Sequence, residues 1–380
     1  MEKSIIRLSK SCIGPAEKQA VQRILDQEYL GMGPEVQKFE AELSVFFNRP
    51  AVCVVNGTAA LHLSLQACGL GRGDEVLVSS LTYIASFQAI SATGATPIAC
   101  DIHAEDYLID LNDAERRITT RTKAIMPVHY TGGVGNLDAV YDFAVKHSLR
   151  VIEDAAHAFG TIYKNKRVGG FGDIACFSFD GIKNISSGEG GCIVTEDVDI
   201  LQKVRDARLL GVEKDTENRF SRERSWEFDV KAQGWRYHMS DIMAAIGREQ
   251  LKRFSAFSEK RQKIAAAYDR IFQDHPIIMP LDRDYNTVVP HIYVVRIIGM
   301  ENRSDIQKQL LDIGIQVGYH YQPNHQLSYY QSKKLWDFPI TEGVHRELLT
   351  LPLHFDLTID DVKTIAFELK RICRDINVDK

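Results

Sequence analysis

The sequence predicts an α/β fold: a mostly parallel seven-stranded sheet with helices on both faces, followed by a smaller C-terminal α+β domain. Three observations lead there. First, seven short apolar runs recur between residues 50 and 200: AVCVV (51–55), EVLVSS (75–80), ATPIAC (95–100), KAIMPV (123–128), LRVIED (149–154), IACFSF (174–179) and GCIVT (191–195). Most are apolar at successive positions instead of alternating, which is the pattern of strands covered on both faces. Second, amphipathic segments such as TAALHLSLQACGL (58–70) and NLDAVYDFAVKHS (136–148) separate most of the runs. Strand and helix in alternation build a parallel sheet. Third, the last two runs are joined without a helix, so that end of the sheet need not be parallel.

The other elements follow in order. Two helical patterns, 15–27 and 34–46, precede the sheet and flank the loop EYLGMGPE, with Gly31, Gly33 and Pro34. A mostly charged stretch, 198–230, mixes helix and loop. A long helix is predicted from Met239–Ser240 to about Phe272. Beyond Pro276 come a strand (HIYVVRII, 291–298), a helix (303–313), a strand (IQVGYHY, 315–321), an irregular stretch, a strand (LLTLPL, 348–353) and a helix (359–374). We expect a large domain over 1–250 and a small one over 251–380. With 380 residues, 44% of them hydrophobic, the chain can bury two cores.

Composition narrows the partners. The net charge is −5 with both signs interspersed, so no broad basic surface is offered to nucleic acid. No apolar stretch approaches the roughly 20 residues of a membrane span. The start, MEKSIIRLSK, has no signal-peptide pattern. Seven cysteines, none spaced C-x-x-C, argue for a reducing compartment, and a cytoplasmic location is expected. Cys53, Cys100, Cys176 and Cys192 lie in apolar runs and are read as small core residues. No metal site is read.

The stretch Phe177–Gly191, FSFDGIKNISSGEGG, sets one lysine, Lys183, between two strand-like segments. Ser178 lies five residues before it; Gly188, Gly190 and Gly191 follow. Such a lysine either extends its head to water or holds an amine in a cleft for Schiff-base chemistry. Other segments bear on the choice. After the first strand, Gly57 permits a tight turn and Thr58 can cap a helix. The free N–H groups around them, Ala59 included, form a phosphate site. No Gly-Lys-Ser/Thr follows, so this is not a P-loop. Glu153 and Asp154 end a buried strand where open α/β sheets bind ligands, and small Ala155 and Ala156 and then His157 come next. Tyr83 follows a strand and can stack on a planar ligand. Arg236 and His238, in GWRYHM before the long helix, are candidate anion and polar contacts. Gly69, Gly71 and Gly73 follow a helix, the reverse of a dinucleotide fingerprint. A lysine for an imine, an acid for a pyridinium, an aromatic for a ring face and donors for a phosphate together describe a site for pyridoxal phosphate.

The order NGTAAL, TY-x-A-S, EDAAHA and FSF-x-x-x-K-x-x-x-x-GEGG resembles the DegT/DnrJ/EryC1/StrS sugar aminotransferases. The early IG-P-x-E-x-x-A-V and LGMGPEV, and the later HYQPNH (320–325) and LPLH-x-D-L-T (351–358), extend the resemblance over nearly the whole chain. It implies a fold-type I PLP-dependent transferase, a homodimer with active sites shared across the interface. Lys183 would be the Schiff-base lysine, Asp154 the partner of the pyridinium nitrogen and Tyr83 the stacking ring. Gly57, Thr58, Ala59 and Ser178 would hold the phosphate, with His157 beside the cofactor. One departure stands out. Where the family commonly has G-Y-N-x-R-M, Arg236 replaces the asparagine that reaches the partner's phosphate, and His238 replaces an arginine. Tyr29, Gly31, Met32, His238, His320 and Tyr321 are the expected substrate contacts.

The resemblance implies amino transfer from glutamate to a keto group on a nucleotide-linked hexose. The specific expectation is dTDP-4-keto-6-deoxyglucose aminated at C4, for O-antigen or a related lipopolysaccharide glycan. A 3-keto sugar and a UDP or GDP carrier are the alternatives. A dehydratase branch of the family carries histidine at the lysine position, so Lys183 favours amination. Readings of other classes are a non-catalytic PLP-binding regulatory protein, a cysteine desulfurase and a nucleotide-binding α/β protein without PLP.

Overall fold

The computed structural model describes residues 5–224, 226–331 and 337–376. Seven strands form the central sheet: β1 (Ala51–Val54), β2 (Glu75–Ser79), β3 (Thr96–Cys100), β4 (Thr122–Met126), β5 (Arg150–Asp154), β8 (Ile174–Ser178) and β9 (Gly191–Val194). A two-residue hairpin, β6 (Ile162–Tyr163) and β7 (Lys166–Arg167), projects between β5 and β8. The sheet order is β1-β9-β8-β5-β4-β2-β3. All neighbours are parallel except β9, which runs antiparallel to both β1 and β8. A parallel return needs a helical crossover, and the segment from β8 to β9 carries none. β1 thus runs in the direction of β8, and the C-terminal ends of β1, β2, β5 and β8 share one edge of the sheet.

The two outer strands are finished differently. β3 is only half-buried and contains Pro97; proline has no N–H to give, so it fits a strand with one free side. β1 is fully buried, so its outward polar groups need partners. Cys53 N–H donates to Glu40 Oε1 (2.8 Å), and Arg208 Nη1 donates to Cys53 O (2.6 Å). Arg208, with no exposed surface, also pairs with Glu40. Val55 N–H goes to Tyr237 O (2.7 Å). The helix Gly57–Ala67 then packs on β8 and β9 and is buried on nearly every side, as its apolar sequence requires.

A second sheet follows, β10 (Ile278–Pro280), β11 (Tyr293–Ile297) and β12 (Leu348–Leu351), antiparallel throughout. Helices Phe254–Phe272 and Ile359–Ile376 cover it, and Ile264, Tyr268, Val295, Leu349 and Ile365 share its core.

Three expectations are corrected. The long helix over 239–272 is two helices, Asp241–Lys252 and Phe254–Phe272. They break at Arg253, whose N–H bonds back to Gln250 O and whose guanidinium reaches Glu17 Oε1 (2.6 Å). Phe254 and Phe257 still pack in the core around Phe159 and Phe177, whereas Ile264 belongs to the second sheet's core. The strand over 315–321 does not form. Ile315 bridges Ile6 and Gly318 bridges Thr350, so the segment is split between two partners before it turns into the cleft. Within the irregular stretch, Pro339 starts a helix that runs to Glu347; residues 332–336 of that stretch lie outside the described residues.

We expect Arg208→Met to destabilise the protein by about 3–5 kcal/mol, because it leaves the Glu40 carboxylate buried and uncompensated. The double variant Glu40→Met/Arg208→Met should recover only part of that loss, because it removes the buried charge but leaves the Cys53 N–H and C=O without partners. Urea unfolding midpoints of the three proteins check this.

Candidate active site

A cavity of about 450 Å³ opens at the shared C-terminal edge, and β1, β2, β5 and β8 each deliver a residue to it. At the end of β1, the cap of the following helix is Asn56, not Thr58: its Oδ1 accepts from Ala59 N–H (2.8 Å). Ala59 is therefore occupied. Gly57 and Thr58 keep N–H groups that no helical carbonyl can reach. Gly57 also lets this helix end approach β8. A Cβ there would lie 2.8 Å from the Ser178 Cβ, so only glycine allows the free N–H groups and the Ser178 hydroxyl to converge.

At the end of β5, Asp154 Oδ2 accepts from Ser86 Oγ (2.6 Å) and Oδ1 from Ala156 N–H (3.2 Å). Its backbone is pinned by Pro127 O and His129 N–H. Tyr83 caps the helix Ile84–Ala92 after β2; it is 57% exposed and stands over the cavity with its ring 5.5 Å from that of Tyr321.

Lys183 sits in the loop between β8 and β9. The loop is held by Lys183 N–H on Asp180 O and by Asn184 Nδ2 on Phe159 O and Val289 O. Gly188, at φ 82°, makes the reversal. The half-buried Lys183 amine has its pKa lowered from 10.5 to about 8. Burial is the main cause and Arg261 adds to it; Asp154 and Asp180 oppose it. Three histidines surround the amine. His291 Nε2 lies 3.4 Å from Lys183 Nζ, and its ring packs 4.4 Å from that of His157. His157 Nε2 pairs with the Tyr321 hydroxyl (2.8 Å), and His320 Nδ1 with Thr350 Oγ1 (2.9 Å). Burial, then the nearby Lys183, pushes all three below the ordinary histidine value, His320 to about 4. His157 Nδ1 is buried without a partner, which leaves it a position for a ligand's polar atom.

The expected residues thus divide. Gly57, Thr58, Tyr83, Asp154, His157, Ser178, Lys183, His320 and Tyr321 line one cavity. Arg236 and His238 line another, of about 140 Å³, with Asp215 and Arg219. Burial and the charge of Arg236 lower His238 to about 4. Met32 is fully buried beneath the large-domain helices. Tyr29 bonds to Met32 O and carries the Arg222 guanidinium on its ring; Gly31 O accepts from Asp241 N–H. None of these three faces the cavity. Ser86 and His291 were not anticipated. Ser86 was quoted within TY-x-A-S but had no role, and His291 is marked only by its polarity at the head of an apolar run.

The DegT/DnrJ/EryC1/StrS aminotransferase family model matches residues 11–370. The chain belongs to this family. The aminotransferase is 38% identical over 371 residues to the spore coat polysaccharide biosynthesis protein SpsC of Bacillus subtilis, which covers 95% of each chain. Its fold superposes on a putative sugar aminotransferase, Spr1654 of Streptococcus pneumoniae in its PMP-form, with a TM-score of 0.91 at 30% identity and 98% of each chain covered. PseC of Helicobacter pylori, an aminotransferase of pseudoaminic acid biosynthesis, gives a TM-score of 0.90 at 29% identity, over 98% of this chain and 100% of that one.

The fold is that of the fold-type I PLP-dependent transferases, and the cavity fits the cofactor. Pyridoxal phosphate calls for an amine at its aldehyde, an acid at its ring nitrogen, an aromatic over its ring and donors for its phosphate. Lys183, Asp154, Tyr83, and the Gly57 and Thr58 N–H groups with Ser178 lie within one cavity and are of the types that would hold these parts. The aminotransferase is a PLP-dependent enzyme.

Because the Lys183 pKa is lowered to about 8, its amine is protonated below that pH and free above it. In the cofactor-free chain, the rate of Lys183 acetylation, followed by peptide mass spectrometry, should rise with a midpoint near 8; a midpoint near 10.5 would contradict the site's electrostatics.

Proposed function

We propose that this aminotransferase moves an amino group from glutamate to the keto carbon of a nucleotide-linked hexose. In its specific form the proposal is dTDP-4-keto-6-deoxyglucose, aminated at C4, for a surface glycan such as O-antigen. The observation that carries the reading is a lowered-pKa lysine amine and a hydrogen-bonded carboxylate, Asp154, in one cavity. The polysaccharide and pseudoaminic acid roles of SpsC and PseC support a sugar as acceptor.

Bound pyridoxal phosphate supplies an electron sink and a carrier for the nitrogen. The chain's own residues do the rest. Lys183 Nζ, in the fraction that has lost its proton, which grows as the pH rises towards 8, would take a proton from the substrate carbon and return it to the cofactor's side. Asp154, fixed by Ser86 and Ala156, keeps the ring nitrogen protonated. The N-terminus of the helix Gly57–Ala67 favours the phosphate charge through its free N–H groups. Tyr83 would stack on the ring face. The desulfurase reading loses its reagent: Cys176 lines the cavity, but burial pushes its thiol up and Ser64 occupies it at 3.2 Å.

We further propose a homodimer. Phe228, 61% exposed, lines the cavity that holds Arg236 and His238, and Trp226, two residues before it, is 87% exposed. An apolar face beside the Arg236 and Arg224 guanidiniums suits a partner's cleft that must bind phosphate. No helix among the described residues is long and apolar enough to cross a membrane, and a cytoplasmic setting agrees with seven unpaired cysteines.

A panel of dTDP-, UDP- and GDP-linked 3-keto and 4-keto sugars, with glutamate as donor, should give turnover on the dTDP-4-keto sugar. Turnover of small keto acids alone would end the sugar reading, and no amino transfer at all would favour a regulatory PLP-binding protein. Mixing inactive Lys183→Ala and Arg236→Ala chains should restore roughly a quarter of wild-type activity, because about half of the dimers pair unlike chains and each of these regains one of its two sites. Absence of any recovery would contradict shared sites.

A further inference from the structure

Helix Phe254–Phe272 carries Arg261 beneath the cleft. Among the described residues four arginines are buried: Arg49, Arg117, Arg208 and Arg261. Three face carboxylates: Arg49 has Glu196 at 3.9 Å, Arg117 has Asp113 at 2.5 Å and Arg208 has Glu40. Arg261 has no such partner. Its Nη1 donates to His291 O (3.0 Å) and its Nη2 to Ile182 O (3.4 Å). Those carbonyls belong to the two residues that frame the cofactor amine. Ile182 precedes Lys183, and the His291 imidazole lies 3.4 Å from Lys183 Nζ. A buried cation without a counter-charge is costly, and a fold that only needed two carbonyls capped could use a neutral amide.

We propose that Arg261 is a positioning residue for Lys183: its guanidinium clamps the Ile182 and His291 carbonyls, so that the amine meets the imidazole while facing a second positive charge. The proposal rests on the cleft as an aminotransferase site and is independent of the sugar.

The charges around the amine show what this achieves. Asp154 faces it from the end of β5 and Asp180 from its own loop; both favour the ammonium. His157, His291 and His320 are held neutral by burial. Burial brings Arg261 only to about 10, so it remains charged at neutral pH. Arg261 is thus the charged group that adds to burial in opposing the two carboxylates. Without it burial alone opposes them, and the amine binds its proton more tightly.

The test is acetylation of Lys183 in the full-length, cofactor-free chain at pH 7.5, read by peptide mass spectrometry. Arg261→Gln should slow it by at least about threefold, half a pH unit of the midpoint, whereas Arg261→Lys, which keeps the charge, should stay near the wild-type rate. A folded Arg261→Gln chain with the wild-type rate overturns the proposal, since a purely structural arginine would alter thermal stability without moving this profile. If Arg261→Gln does not fold, Arg261→Met decides, because an unbranched apolar side chain fills the buried site without a charge and without an unpaired polar group. Slower acetylation of Lys183 then supports the proposal, and an unchanged rate overturns it. Neither cofactor nor sugar enters the assay, so failure of the sugar reading leaves its outcome intact.

Discussion

The Glu40–Arg208 ion pair closes the outer edge of the central sheet, and the cofactor cleft is built outward from that edge. β1 is a fully buried outer strand, so its free backbone groups would otherwise sit unsatisfied in an apolar core. One carboxylate takes the Cys53 N–H, and one guanidinium serves both the Cys53 carbonyl and that carboxylate. A buried ion pair of this kind contributes little net stability against an apolar replacement. Its consequence is geometric: β1 is held in a single position. The Asn56–Gly57 turn that leaves β1 then arrives against Ser178 with no room for a side chain.

The cleft is a contest between burial and charge at one nitrogen. Asp154 and Asp180 pull the Lys183 amine towards its protonated form; burial and Arg261 push the other way, and the pKa near 8 says that burial wins. The histidines extend the same logic. Clustered imidazoles beside an amine repel any added proton, so their polar atoms serve as hydrogen-bond partners without adding charge. The result is an amine that can both capture a carbonyl and carry a proton near neutral pH.

How much of this was legible depended on the range of the signal. The parallel sheet was, because burial on both faces leaves unbroken apolar runs, and so was the antiparallel return at β9, because no helix separates it from β8. The break at Arg253 was not: the helical periodicity runs through it, and the Arg253 side chain is tied to Glu17, more than 200 residues away. IQVGYHY reads as a strand, yet two different neighbours divide it. In the site, Asp154 and Ser178 could be picked out as candidates because they end apolar runs, Tyr83 because it follows one closely, and Lys183 because it stands between two. The cap was assigned to Thr58 although Asn56 performs it, since both types cap and only the backbone angle decides.

By itself the sequence determined the strands of the central sheet, the strand ends from which the candidate site residues project, and the family chemistry those residues imply, because these are written in local periodicity and in residues a few positions apart. Only the tertiary structure decided which groups share a cavity. It put His291 and Arg261 against Lys183, set Ser86 on Asp154, and placed Tyr29, Met32, Arg236 and His238 away from that cavity. Those relations join residues from distant parts of the chain, and the burial that sets their charges exists only once both cores have closed.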